Sequence, residues 1–137
     1  WVAIRGTLGP ADAPILLLTL AVIFWVAGFD IIYSCQDVEH DRRAGLFSVP
    51  ARVGVGPALW VARGLHLLMA GLLAGTVVVF QLGWLAVAGL ALTVGLLAWE
   101  HSLVKADDLS KVNAAFFSVN GYISVLLLLF WGADVLL

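Results

Sequence analysis

The chain has a single cysteine, Cys35, among its 137 residues. One thiol excludes an internal disulfide and matches no metal-ligand spacing. Free cysteine packs as a small hydrophobe, so Cys35 reads as a semi-buried helix residue. Charge is scarce as well. Lys, Arg, Asp and Glu together make 12% of the chain and the formal net charge is −2, where soluble domains carry about 25% charged residues. No basic patch is present, so nothing points to nucleic acid. The first residues lack the ordered basic, apolar and small-residue regions of a signal peptide, and no internal repeat stands out. The chain opens on Trp1 rather than Met and reads as a piece of a longer protein.

What the chain has in abundance is apolar surface. Hydrophobic residues make up 63% of it, and the mean hydropathy is +1.07. Four apolar segments stand out, at 14–34, 57–81, 83–103 and 112–133. Each approaches the roughly 20 residues that cross hydrocarbon at about 1.5 Å per residue. Within lipid, only helices satisfy their backbone at this length. The expectation is therefore an all-α bundle of about four transmembrane helices in a lipid bilayer. Pro57 suits a first helical turn. Trp60, Trp84, Trp99 and Trp131 lie near segment ends, as an interfacial belt or a buried core would place them. Gly71, Gly75, Gly89 and Gly95 read as packing positions where helix backbones approach closely.

The connections differ sharply. Only Gln81-Leu82-Gly83 separates the second and third segments, whereas the loops at 35–56 and 101–111 are long and charged. These two loops share one side of the membrane. Arg42, Arg43, Arg52, Arg63, Lys105 and Lys111 belong to that side, against Arg5 alone on the other. This bias places the charged loops in the cytoplasm.

The first charged loop opens with an acidic series. Asp30, Tyr33, Asp37 and Asp41 have the spacing of one face of a 3.6-residue helix. Carboxylates near a membrane core are costly and usually face a polar cavity. Magnesium accepts one or two carboxylates together with phosphate oxygens and water, so Asp37 and Asp41, one turn apart, form a candidate magnesium-diphosphate clamp. Arg42 and Arg43 suit direct phosphate contact. Glu39 and His40 point away and read as solvated. An ordinary charged loop remains the competing reading, and Asp30 argues against it. Elsewhere, Glu100 and His101 read as snorkelling to the interface, and His66 as an interface histidine. Asp107 and Asp108 read as a helix start, where acids complement the dipole. Asn113 and Asn120, seven apart, read as interhelical hydrogen-bond links or cavity lining.

The run Asp30-Ile-Ile-Tyr33-Ser-Cys-Gln-Asp37-Val-Glu-His-Asp41-Arg-Arg43-Ala-Gly45-Leu-Phe-Ser48 closely resembles the second aspartate-rich motif of the UbiA superfamily of intramembrane prenyltransferases. The stretch from Asp107 to Ser124, with Lys111-Val-Asn113-Ala-Ala-Phe-Phe117 and Asn120-Gly121, is similar to the last loop and helix of 4-hydroxybenzoate polyprenyltransferase-like members. The resemblance implies that residues 1–137 are the C-terminal part of one nine-helix domain, roughly helices six to nine. The N-terminal half, with a first motif of the N-D-x-x-D type, would be a separate stretch and a necessary partner.

The resemblance also implies roles. Asp37 and Asp41 match the motif that binds magnesium with the prenyl diphosphate. Asp30 and Tyr33 match catalytic positions upstream on the same face. Arg42, Arg43 and Ser48 fall where diphosphate is met, and Asn113 and Asn120 where the cavity is lined. Phe47 departs from the pattern, since many members carry lysine there. The implied reaction is transfer of a polyprenyl group to an aromatic acid, 4-hydroxybenzoate or a dihydroxynaphthoate, for ubiquinone or menaquinone synthesis at a bacterial inner membrane. Haem O synthase-like and other transferases of the superfamily stand as alternatives. A transporter fragment with a carboxylate ion site is a rival from another class, but its acids would lie mid-span and recur in inverted halves. A non-catalytic scaffold leaves Asp30 unexplained.

Sidedness can be tested directly. With Cys35 replaced, a cysteine introduced at Ala44 is expected to resist membrane-impermeant thiol reagents in intact cells. Ready labelling from outside would reverse the topology.

Overall fold

The computed structural model of the chain describes residues 14–137. Arg5, the basic residue assigned to the opposite side, lies outside them. The first helix, α1 (Ile15–Ser34), passes through a three-residue 3-10 turn, Cys35–Asp37, into α2 (Val38–Ala44). Gly45 ends α2 with φ 67, a left-handed conformation that glycine adopts freely. A short helix, α3 (Val49–Val53), follows, then α4 (Val55–Val79) and α5 (Trp84–Leu103). A π-helical segment, Ala114–Val119, leads into α6 (Asn120–Leu136).

Among the described residues, four helical stretches are long and apolar enough to cross a membrane: Ile15–Ala44, Val55–Val79, Trp84–Leu103 and Ala114–Leu136. The chain is a multi-pass, all-α membrane protein segment. The tight turn expected between α4 and α5 is present, with Gln81 at φ 53 and the Leu82 amide donating to the Val77 carbonyl at 2.9 Å. Pro57 sits in the first turn of α4, as its sequence context suggests. One expectation fails. Asp107 and Asp108 do not begin a helix. Asp108 closes a tight turn with Lys105 instead, and accepts from the Ser110 amide at 3.0 Å and its hydroxyl at 2.6 Å. Those two bonds hold the Asp108 carboxyl below the usual aspartate range.

Hydrophobicity alone does not hold helices together in lipid, so close packing and interhelical hydrogen bonds must do it. The helices pack as two main pairs, α1 on α4 and α5 on α6. In the second pair, Gly89 lets α6 approach so closely that a β-carbon there would meet Phe130 at 2.7 Å. Asp134 accepts from the backbone amides of Gly83 and Ala86, at 2.6 and 3.2 Å. It thereby satisfies the orphan donors at the start of α5 with a charge of favourable sign. Trp131 adds a bond from Nε1 to the Ala86 carbonyl at 3.1 Å. Trp60, Trp84 and Trp99 face outward, as an interfacial belt requires, whereas Trp131 is partly enclosed. The expected Gly71 and Gly75 pair makes no comparably close approach among the described residues.

Ile32 with Leu59 and Ala62, and Ala21 with Met69 and Leu73, share buried apolar clusters between α1 and α4, and one polar contact lies among them. His66 is 3% exposed, and its imidazole fills the notch left by Gly28. Its Nε2 lies 3.3 Å from the Trp25 carbonyl. A carbonyl only accepts, so Nε2 carries the proton. Nδ1 lies 3.0 Å from His101 Nε2 and 3.7 Å from Glu100 Oε2. These positions correct three expectations. His66 is not an interface residue, and Glu100, fully buried, does not snorkel. His101 turns inward to His66. The reason is the register of α5: Glu100 continues the buried series Thr93 and Leu97 onto the bundle face. Neither Glu100 oxygen has a hydrogen-bond partner among the described residues.

Because a β-carbon on Gly28 would overlap the His66 ring, Gly28→Ala is expected to displace the imidazole. Overpacking of this kind costs about 1–3 kcal/mol. Denaturant unfolding in detergent micelles measures it, and wild-type stability would show that the notch is not required.

Candidate functional site

The acidic series does not occupy one uninterrupted α-helical stripe. The 3-10 turn at Cys35–Asp37 changes the register between Tyr33 and Asp41, because 3-10 geometry advances with 3.0 residues per turn rather than 3.6. Asp30 and Asp37 are exposed, while Asp41 is 8% exposed. Among the described residues no group of three His, Cys, Asp or Glu converges as a metal site. What the segment offers is a carboxylate oxygen donor set of the hard type that magnesium uses with phosphate oxygens. Asp37 presents its carboxylate outward and Asp41 lies one turn further along. Cys35 is no part of it: buried, its thiol donates to the Ile31 carbonyl at 3.3 Å.

The basic residues beside this segment are partly committed. Arg42 donates from Nε to the Ala51 carbonyl at 3.0 Å, fastening α2 to α3 and leaving its terminal amines free of that bond. Arg43 lies 3.9 Å from Glu39, both well exposed, which is a weak surface pair. Ser48 is the N-cap of α3. Its hydroxyl accepts from the Ala51 amide at 3.3 Å, a standard use of serine at a helix start. Phe47, which stands where lysine was expected, is 83% exposed. The Arg52 guanidinium lies 4.6 Å from its ring centroid, so a cation does occupy the neighbourhood of position 47.

A wall of aromatic rings runs down from the acidic end, and it was not foreseen. Trp25, Phe29 and Tyr33 recur at four-residue spacing along α1. Tyr33 stacks against Phe116 at 4.4 Å between centroids, and Phe29 meets the same ring edge-on at 5.1 Å. Phe117 lies edge-on to Tyr33 at 6.2 Å, and Trp25 edge-on to Phe29 at 6.0 Å. Such pairings favour offset and edge-to-face geometry. Phe116 and Phe117 reach this position from the π-helical segment, a wider turn that often marks functional sites. The spacing of 25, 29 and 33 was visible in the sequence. The π-turn was not.

Asn113 is exposed, whereas Asn120 is 9% exposed and bonded at both ends of its carboxamide. Its Oδ1 accepts from Trp25 Nε1 at 2.9 Å, and its Nδ2 donates to the Phe116 carbonyl at 2.8 Å. Of the two readings considered for Asn120, the interhelical link is the one this geometry supports. A cavity of about 250 Å³ lies between α4 and α5, walled mainly by apolar groups such as Trp60, Leu67, Val94 and Leu97 and bordered by Arg63 and the His66–His101 pair. None of the acidic series or the aromatic wall borders it.

The profile of a family described as "UbiA prenyltransferase family" matches residues 1–131. Among similar proteins, the mitochondrial 4-hydroxybenzoate polyprenyltransferase of Arabidopsis thaliana is 34% identical over 111 residues, covering 81% of this chain and 26% of that protein. The 4-hydroxybenzoate geranyltransferase 2 of Lithospermum erythrorhizon is 31% identical over 85% of this chain and 37% of its own length. The 4-hydroxybenzoate octaprenyltransferase of Cupriavidus metallidurans is 28% identical over 73% of this chain and 34% of its own. The chain thus spans between about a quarter and just over a third of the length of these curated relatives. No solved structure matches it significantly.

Proposed function

Because the chain belongs to the UbiA prenyltransferase family, we propose that it is the C-terminal part of a magnesium-dependent aromatic polyprenyltransferase of quinone biosynthesis. Its donor is a prenyl diphosphate and its acceptor an aromatic acid, 4-hydroxybenzoate or a dihydroxynaphthoate. The names of three relatives support the 4-hydroxybenzoate class. The observation that carries the reading is the juxtaposition of two features. The acidic segment at Asp37 and Asp41 directly continues the helix that bears the aromatic wall of Phe29 and Tyr33. A prenyl diphosphate has the same polarity along its length, an anionic head on an apolar chain.

Asp37 and Asp41 would hold magnesium, which neutralises charge developing on a departing diphosphate. Arg43 and the free amines of Arg42 supply further phosphate donors from the same loop. The allylic carbon is then open to the electron-rich acceptor ring. Tyr33, Phe116 and Phe117 pack the apolar chain and exclude water, which would otherwise quench the electrophile. Asp30 lies on α1 one turn before Tyr33, exposed on the bundle surface, where the missing helices would cover it. The Lys and Arg bias supports a cytoplasmic position for these loops, in a bacterial inner membrane.

Two carboxylates bound to a dication leave it no net charge to offer phosphate, so the positive charge would come from Arg42, Arg43 and a second magnesium, which the family resemblance assigns to an aspartate motif of the N-terminal half. In the complete protein, Asp37→Asn or Asp41→Asn is expected to abolish prenyl transfer with membrane expression intact, and chelation of divalent cations to do the same. Normal turnover in either variant would remove these residues from the site. Residues 1–137 expressed alone are expected to insert into membranes yet prenylate neither acceptor. Prenylation by this piece alone would end the two-motif mechanism.

A further inference from the structure

We propose that Asn120 is a positioning residue for the prenyl-transfer site, acting through the aromatic wall rather than as a ligand. The inference rests on the function proposed above for its kinetic consequences and on geometry alone for its structural ones. Asn120 is buried, and its carboxamide bonds two elements at once. On one side it accepts from the indole of Trp25, the lowest ring of the α1 stripe. On the other it donates to the carbonyl of Phe116, inside the π-helical segment.

Phe116 is the ring that Phe29 and Tyr33 both contact. One side chain therefore sets the distance between the two halves of the wall. It holds Trp25 on α1, and it holds the turn that carries Phe116 on the opposite helix. A carboxamide suits this task because it offers an acceptor and donors on one rigid plane. Leucine has a similar size but neither group. In Asn120→Leu the Trp25 indole would lose its acceptor, and the π-helical segment would lose the side-chain bond to its Phe116 carbonyl. Tyr33, one turn before the acidic segment, would shift with Phe116. A displacement of about 1 Å at a reacting pair can lower turnover roughly hundredfold.

The test uses the full-length protein in lipid nanodiscs, with Asn120→Leu, Trp25→Phe and the double variant. Trp25→Phe keeps an aromatic ring, removes the indole donor and gives up some ring volume. Kinetically, both single variants should lower kcat at least tenfold with the KM for the aromatic acid unchanged. The double variant should be no worse than Asn120→Leu, since both act through one link. Structurally, the indole N–H resonance assigned by its loss in Trp25→Phe should shift and lose exchange protection in Asn120→Leu, with helical circular dichroism unchanged. Wild-type kcat in either single variant, additive losses in the double, or an unmoved indole resonance would each overturn the proposal. So would a loss of activity that follows a loss of helical content. If wild-type protein transfers no prenyl group to either acceptor, the proposed function fails, and the indole resonance still decides the role of Asn120.

Discussion

The structure depends on one buried contact, the His66 imidazole seated in the Gly28 notch and bonded to the Trp25 carbonyl. In lipid, apolar helices gain little by choosing one another over acyl chains. Polar atoms have no such indifference, because an unpaired group in hydrocarbon is costly. His66 meets α1 through Trp25 and α5 through His101, and the Trp25 indole continues the chain to Asn120 on α6. Four helices are thus joined by three hydrogen-bonded contacts that pass through two residues. Without the notch the imidazole has no place, and without the imidazole the Trp25–Asn120 bond is what remains of the polar link between the two helix pairs among the described residues.

That chain also fixes what stands above it. Trp25, Phe29 and Tyr33 follow from one another on a single helix, so holding Trp25 holds the stripe. The facing rings come from a π-helical segment whose wider turn is bound by Asn120. The acidic loop begins three residues after α1 ends, and Arg42 fastens its two short helices together. An apolar wall and an anion-handling loop are therefore parts of one supported unit. Fully buried Glu100 sits beside this chain with no bonded partner among the described residues.

Much of this architecture was legible in the sequence. Four apolar segments, a minimal turn at Gln81-Leu82-Gly83 and two charged loops follow from hydropathy and length, and the structure has them. The acidic series was visible as a spacing, but the 3-10 turn within it was not, because Cys35-Gln36-Asp37 carries no breaker residue. The glycines show the same limit. Gly71 and Gly75 have the familiar small-residue spacing and make no close approach among the described residues, while Gly28, which has no such pattern, receives an imidazole. Whether a missing side chain is filled by another depends on the partner helix, which no local pattern encodes. Glu100 and His101 failed for a related reason. Near a helix end, charged residues usually reach for water, and only the register of α5 against α4 turns these two inward.

The central claim is that the aromatic wall and the acidic loop together hold a prenyl diphosphate, and photo-crosslinking tests it most directly. A prenyl diphosphate analogue with a photoreactive group on its first isoprene unit would be irradiated with the full-length protein in membranes. Labelled peptides would then be read by mass spectrometry. The account predicts adducts on the segment from Phe29 to Asp37 and on Phe116 or Phe117, suppressed by unlabelled prenyl diphosphate. Adducts confined to the cavity between α4 and α5, around Trp60 and Leu67, would contradict it.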